Sequence, residues 1–522
     1  MQQLKTAADN ALILFDKNQE EYPLIVTDYE GIRRIRTVSQ IMAEGAEDIA
    51  ITGNGIINGN GHLWRPVKQF KMTERQWKRL LTQSEYVIDS KEGGVWVPTK
   101  SIYDTRYEGE VFPDTSVSLR MQFPKEQERS ICETSRRKNE MKTAVIGVGN
   151  MGSRYAALVQ DGRIDGLELA ALTRVRGTYR DMLLPSIEAG IPVYESADDL
   201  FGAMESGEPA LDAVIIATPH YAHEELAVRA FRNGLHVLCD KPSGVYSRQA
   251  RVMEETAAET GRVFGMVFNQ RVLPVHKQLH DLVRSGKYGA LKRVNWVVTD
   301  WYRPDQYYTS SSWHATWDKD GGGVLLNQCP HNLDLLQWIC GMPVRVQGFC
   351  HEGHFHDIEV EDDVTAYLEW ENGATGTFIT STGDAPGINR LEISLEEAMI
   401  VCEGGKLRIG ELQQEMGCKE AEYRAASTDF FRKIKGTWQE IVPPKEEDPY
   451  QKVLQGFADA CLERGANIAP GTEGRKSLLI GNAIYLSSWE HRMVELPQPG
   501  TQAELVFEKL FEKHLQEKRS EK

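Results

Sequence analysis

The 522-residue chain is 41% hydrophobic and 26% charged, ordinary for globular protein but too long for one core, so several domains of about 150 residues each are expected. Its formal net charge of −16 repels phosphate and argues against nucleic acid or an anionic membrane as the main partner. Eight cysteines without a C-x-x-C pair, no basic leader and no apolar run of about 18 residues point to free thiols in a reducing cytosol and to no membrane span.

Residues 1–120 hold short β-rich runs at Ala11–Phe15, Tyr22–Thr27, Asp48–Thr52 and Gly55–Ile57. Gly/Asn turn clusters separate them, a pattern of stacked β-coils or hairpins. Residues 121–140 are dense in charge and poor in apolar side chains, and read as a linker. From Met141 the pattern becomes regular. Thr143–Ile146 is a strand that breaks into Gly147, Gly149 and Gly152, and a helix opening near Asn150 places Met151, Tyr155, Leu158 and Val159 on one face. Strands at Leu167–Leu172, Ala213–Ala217, Leu235–Cys239 and Val263–Phe268 alternate with helices from Ser196 to Met204, His223–Asn233 and Arg248–Thr260. That alternation is the mark of a doubly wound α/β domain over 141–268.

After Gln270 the pattern changes. A helix at Val275–Arg284 precedes a long strand at Leu291–Trp301, and Gly323–Cys340 reads as one helix. Strands follow at Val344–Phe349, Val364–Glu371, Ala374–Thr382, Arg390–Ser394 and Ala398–Cys402, the second and third joined by Asn372-Gly373, a strong hairpin signal. These predict an open antiparallel sheet in an α+β domain spanning 269–522. Helices at Tyr450–Arg464 and Thr472–Trp489 precede a charged tail expected to fray.

Two resemblances emerge from these residues. Asp48–Gly53 (DIAITG), the following NGIINGNGHLWRP to Pro66 and KMTERQW to Trp77 resemble the start of polygalacturonase-type glycoside hydrolases, which implies a truncated right-handed parallel β-helix over about 10–115. The aspartates of that family's site have no counterpart here. Residues 141 to about 500 resemble the Gfo/Idh/MocA oxidoreductases through GVGNMG at 147–152, ATPHYAH at 217–223, CDKPSG at 239–244 and GGGVLLNQCPHNLDLLQW at 321–338. This resemblance implies a nicotinamide-binding Rossmann domain, an open-sheet substrate domain, a homo-oligomer, and reversible hydride transfer at a carbon of a sugar, polyol or sugar acid.

Roles follow for single residues. Gly147, Gly149, Asn150, Met151 and Gly152 would cradle a pyrophosphate on free helix N–H groups. About 20 residues on, where NAD binders place a carboxylate, the stretch from Leu172 to Arg176 holds no acid; Thr173 and Arg174 would instead suit a 2′-phosphate, so NADP is preferred over NAD. Thr218, Pro219, His220, His223 and Asp240 would line the cofactor. Lys241, at the end of a parallel strand, would polarise a carbonyl or stabilise an alkoxide. Asn327 and His331, four residues apart on one helix, would share a face, with His331 exchanging the substrate proton. The family commonly has aspartate where this chain has Asn327, and an amide cannot accept that proton. Trp301, Tyr302, Trp313 and Trp317 are candidates to stack on a sugar ring, Trp313 foremost. His351, His354, His356 and Asp357 are read as loop residues and not as a metal site. The competing functions are a pectin-type hydrolase and a catalytically inactive sugar sensor.

Overall fold

The computed structural model describes residues 140–174, 180–309, 314–412, 431, 436–444 and 448–520, with seven short strands between Leu12 and Trp96. The chain forms two compact units, Met1–Thr134 and Ser135–Lys522. In the first unit Leu12–Leu14 pairs parallel with Ile56–Asn58, Leu24–Tyr29 forms a hairpin with Ile32–Thr37, and Gly93–Trp96 joins Val67–Lys68 and Val87–Ser90 in an antiparallel sheet. The rest of the predicted β-helix and the linker lie outside the described residues.

In the second unit a parallel sheet is built from β1 (Met141–Ile146), β2 (Leu167–Thr173), β3 (Val193–Tyr194), β4 (Ala213–Ile216), β5 (His236–Cys239) and β6 (Phe264–Met266), in the order 3-2-1-4-5-6. This is the doubly wound order in which β1 and β4 flank the switch point. Ala144, Val145 and the whole of β4 are fully buried, because helices cover both faces of the sheet. Those helices are α1 (Asn150–Gln160), α2 (Arg180–Glu188), α3 (Ala197–Glu205), α4 (His223–Arg232) and α5 (Ser247–Thr260). The element pair α2 and β3 carries too little periodic signal to be read from sequence. The capping pattern at Ser196 holds in part: its hydroxyl accepts the Asp199 amide, but Asp199 turns back to that hydroxyl.

The second sheet is nine-stranded. It comprises β7 (Leu291–Val298), β8 (Arg345–Glu352), β9 (Glu361–Glu369), β10 (Thr375–Ser381), β11 (Asn389–Leu395), β12 (Ala398–Glu403), β13 (Lys406–Leu412), β14 (Gly436–Ile441) and β15 (Val494–Glu495), ordered 14-13-12-11-7-10-9-8-15. It is mixed and not antiparallel throughout, because β7 and β10 pair in parallel while the other neighbours run antiparallel. Asn372-Gly373 closes the β9–β10 hairpin as expected, with Gly373 at φ +83°.

Helices α6 (Pro274–Arg284), α7 (Asp305–Thr309), α8 (Val324–Asn327) and α9 (Pro330–Cys340) follow the parallel sheet and interleave with these strands. The single helix expected over Gly323–Cys340 is thus two helices. Pro330, which has no N–H and clashes with a preceding turn, restarts the chain at N1 of α9. Of the last three helices, α10 (Pro449–Cys461) packs Val453, Leu454, Phe457 and Ala458 into the core under the parallel sheet. The second, α11 (Gly471–Glu490), lies along β8 and α5. The expected fraying tail is a 19-residue helix, α12 (Gln502–Ser520), that buries Phe507, Phe511 and Leu515 at a spacing of four. Its Glu504 and Glu508 are buried against Arg475 and Arg251.

Candidate active site

The site is laid out along the carboxyl edge of β1, β4 and β5. Gly147 has φ +97°, and a Cβ there would lie 2.7 Å from the Ala217 carbonyl oxygen. At Gly152 a Cβ would collide with the Gly147 carbonyl, so strand and helix approach as only glycines permit. Gly149 differs. A Cβ there meets nothing within 4 Å, which leaves open space in front of α1, whose N-cap makes no side-chain hydrogen bond and whose first turn holds no acid. An uncompensated helix terminus facing a gap suits a pyrophosphate. The Thr218 hydroxyl, buried beside Gly147 and without a partner, is a further donor awaiting a ligand. On these observations the residues present fit a dinucleotide.

Not every predicted cofactor residue faces that space. Thr173 is buried, and its hydroxyl accepts the Gly147 N–H at 3.1 Å while its carbonyl accepts that of Val148 at 3.0 Å. It shapes the glycine turn and is not free for a phosphate. Arg174 is exposed at the end of β2, 3.3 Å from Glu195, and Arg176 lies outside the described residues. The His223 ring nitrogens sit 2.8 Å from the carbonyls of both Pro242 and Thr218, so this fully buried ring ties two loops together. Pro219 is exposed ahead of the short turn His220–Ala222. The Asp240 carboxylate accepts the Lys241 amide at 2.8 Å, and burial raises its pKa.

Lys241 turns its ammonium toward α8, donating to the Asn327 carbonyl at 2.9 Å. His331 stands in the first turn of α9, edge-on to Phe268. The helix break means that Asn327 and His331 do not share a helical face as spacing predicted; they stand on two helices, with Lys241 bonded to the first residue and acting on the charge of the second. His331 Nδ1 is buried and has no partner. Burial, then the charges of Lys241 and His276, push this imidazole down to about 3, so it is neutral at working pH and offers an unfilled nitrogen. Desolvation thus overrides the near-neutral pKa usual for histidine.

Sequence reasoning missed Asp320. It is 2% exposed, and its carboxylate accepts the Asn327 amide at 3.0 Å and the Ala315 N–H at 3.1 Å. His220 Nδ1 lies 2.9 Å from its carbonyl and 3.2 Å from its carboxylate. Burial pushes this carboxyl up to about 7 and the His220 ring down to about 3. The signal was an acid directly before three glycines, but nothing local tells which side chains it will meet. Glu361 performs a hidden service from β9: it accepts the amides of Gly323 and Leu325, both at 2.9 Å, and the Tyr485 hydroxyl at 2.6 Å, capping α8 from outside its own chain segment.

Among the aromatics, Trp317 is core, packed on Tyr485 and Trp489, while Tyr302 is exposed. Trp301 is half-buried and Trp313 lies outside the described residues. In the histidine loop, His356 is buried between Asp362 and the Arg303 carbonyl, both at 2.8 Å, and His354 contacts Asp363.

Comparisons with known proteins bear on the two domains that carry these residues. Residues 141–268 match the family model described as oxidoreductase family, NAD-binding Rossmann fold, and residues 276–401 match the GFO/IDH/MocA C-terminal domain. The chain is 25% identical over 336 residues to 1,5-anhydro-D-fructose reductase of Ensifer adhaerens, covering 63% of this chain and 94% of that protein. It is 23% identical over 364 residues to myo-inositol 2-dehydrogenase of Thermotoga maritima, covering 69% and 99%. Among solved structures, the WlbA dehydrogenase of Bordetella pertussis in complex with NADH and UDP-GlcNAcA superposes with a TM-score of 0.55 at 22% identity, covering 69% of this chain and 99% of that one. The aldose-aldose oxidoreductase of Caulobacter crescentus gives 0.55 at 21%, covering 68% and 100%. These structural likenesses establish the fold. Neither family model reaches the amino-terminal unit, and its resemblance to polygalacturonases has no support in them.

Proposed function

From the membership of residues 141–268 and 276–401 in the Gfo/Idh/MocA oxidoreductases, we propose that the protein exchanges hydride with a secondary hydroxyl or carbonyl carbon of a sugar, polyol or sugar acid. The chain is a nicotinamide-dependent sugar oxidoreductase, in keeping with the reductases and dehydrogenases it resembles. What supports the finer reading is that Lys241 follows β5 at the carboxyl edge that also carries the glycine cradle, and that its charge acts on His331, whose buried Nδ1 has no partner.

Gly147, Gly149, Gly152 and the amides of Asn150 and Met151 would hold the pyrophosphate, with Thr218 beside them. Bound there, the nicotinamide supplies a hydride acceptor or donor. Lys241 stabilises negative charge on the reacting oxygen and is held for that task by the Asn327 carbonyl. His331, kept neutral by burial, hydrogen-bonds the substrate through Nδ1; filling an unpartnered buried nitrogen recovers about 1–3 kcal/mol. Arg174 supports NADP over NAD, since an exposed guanidinium at the end of β2 suits a 2′-phosphate.

The test is quenching of protein fluorescence by NADPH and NADH, then absorbance at 340 nm with a panel that includes myo-inositol, levoglucosan and 1,5-anhydro-D-fructose. NADPH is expected to bind at least tenfold more tightly than NADH, with Arg174→Ala removing the difference. No binding of either nucleotide refutes the reading. The sensor alternative is favoured by Asn327 in place of an acid, and tight nucleotide binding without turnover of any panel sugar would support it.

A further inference from the structure

Among the described residues the Asp320 carboxylate lies against groups able to donate a hydrogen bond. Ala315 N–H and Asn327 Nδ2 approach Oδ2 at 3.1 and 3.0 Å, Asn327 Nδ2 is 3.3 Å from Oδ1, and His220 Nδ1 is 3.2 Å from Oδ1. Among the described residues no lysine or arginine pairs with it; Lys241, the cation acting on it, donates to the Asn327 carbonyl. The loop is shaped for this arrangement, because Ala315 has φ +55°. A residue with a Cβ enters that left-handed region only when its surroundings hold it there, and here the conformation aims its amide at Asp320.

An ionised carboxylate can only accept, so it fixes the Asn327 amide with Nδ2 inward and Oδ1 outward. We propose that Asp320 acts through this contact as a positioning residue: ionised, it presents Asn327 Oδ1 to accept a hydrogen bond from a substrate hydroxyl, and protonated, it donates to Oδ1 and turns Nδ2 toward a substrate carbonyl. This rests on the oxidoreductase reading and deepens it. An alcohol must donate and a ketone must accept, so one solvent-derived proton on Asp320 moves the site from favouring the alcohol to favouring the carbonyl. The position lost as an acid at 327 is in this way governed by an acid at 320.

Burial places the Asp320 titration near neutrality, where both forms are populated. The charged and titratable groups facing it are His220 and Tyr221 from the turn after β4, Lys241 after β5 and Tyr307 on α7. His220 is held neutral by burial; its Nδ1 lies 2.9 Å from the Asp320 backbone carbonyl and adds no charge beside the carboxylate.

The experiment has two independent readouts on the full chain. Infrared titration of wild type from about pH 5 to 9 should show a protonated-carboxyl band lost near neutrality. Glu254 and Glu361 are buried carboxyls of the same kind, so the Asp320 component is the part missing in Asp320→Asn. Asn327→Leu keeps that component but moves its midpoint upward, since a donor to the ionised form is removed. In the second readout, kcat/KM for oxidation of whichever panel alcohol reacts should fall about tenfold per pH unit below the infrared midpoint. Both variants should lack that inflection. An Asp320 band absent in wild type, a midpoint unmoved in Asn327→Leu, or an inflection retained in Asp320→Asn would each overturn the proposal. If Asp320→Asn does not fold, Asn327→Leu decides. If no panel sugar turns over, the oxidoreductase reading fails, while the infrared midpoints still judge the Asp320–Asn327 contact.

Discussion

Substituting Arg271 with Met should show how the substrate-side helix is anchored to the nucleotide domain. Arg271 follows β6 and is 3% exposed in its side chain, against 0% for Asp334, one turn beyond His331 on α9. The pair is bidentate, Nε to Oδ2 at 2.8 Å and Nη2 to Oδ1 at 2.6 Å. Glu473 of α11 lies 2.8 Å from Nη2, Gln337 bridges Asp334 and Glu473 at 3.1 and 2.8 Å, and the guanidinium lies 5.2 Å from the Trp338 ring centroid. Removing one partner of such a buried pair leaves an uncompensated charge and costs about 3–5 kcal/mol. The cost must depend on pH. Burial raises the Asp334 pKa and Arg271 opposes that rise, so in Arg271→Met the carboxyl titrates well above its unfolded value of about 3.9. Its stabilising protonated state is fully present below that value and is lost as pH rises through the folded pKa. Urea unfolding followed by tryptophan fluorescence should therefore show a large loss at pH 7 that shrinks toward pH 4.5. Arg271→Met with Asp334→Leu should recover most of it, because a well-packed apolar pair removes both charges. A loss under about 1 kcal/mol at pH 7, or one independent of pH, would refute this account of the helix anchor.

Three further outcomes are expected. Lys241→Ala should lower turnover at least a hundredfold while leaving NADPH affinity within a few-fold, whereas Gly149→Ala should leave the melting temperature unchanged and weaken NADPH, because its Cβ enters only ligand space; fluorescence titration and calorimetry separate the two. Glu361 is held up to about 7 by burial, above an unfolded value of about 4.3, so its contribution, on the order of 3 kcal/mol, is complete below pH 4 and is lost as pH rises through 7. Melting temperatures at pH 5 and 7.5 should accordingly differ less in Glu361→Gln than in wild type. Phe511→Ala, at a 1% exposed position packed on Tyr246, Tyr485 and Trp489, should cost about 3–5 kcal/mol, and a change below about 1 kcal/mol in chemical denaturation would mean that α12 does not belong to the core.

What the sequence made legible was local. The glycine spacing at 147–152 encodes contacts between residues a few positions apart, and the apolar run Ala213–Ile216 announces burial on both faces without reference to its neighbours. The charged tail shows where that reading stops. Phe507, Phe511 and Leu515 carry a helical period, yet Glu504 and Glu508 among them look like solvent-facing acids until Arg475 and Arg251 arrive from other helices to bury them. A sequence window holds no record of that partner.

The same limit decides the chemistry. Pro330 was visible and should have split the helix, because a residue without an N–H belongs at a helix start. Its consequence was not visible. Once the chain restarts there, Asn327 is released from the helical face of His331 and can turn its amide toward Asp320, seven residues back across the triple glycine. That return is possible because Glu361, from a strand further along the chain, satisfies the amides that open α8 and because Gly323 leaves no Cβ to hit the Glu361 carbonyl. Motif spacing thus identifies Lys241, Asn327 and His331 as residues of interest, while the acid that orients Asn327 emerges only from the fold. The substitution of an amide for an acid at 327 follows the same logic: read alone it removes a base, and read with Asp320 it relocates the titrating group behind the amide, where burial can set the pKa without exposing a charge to the substrate.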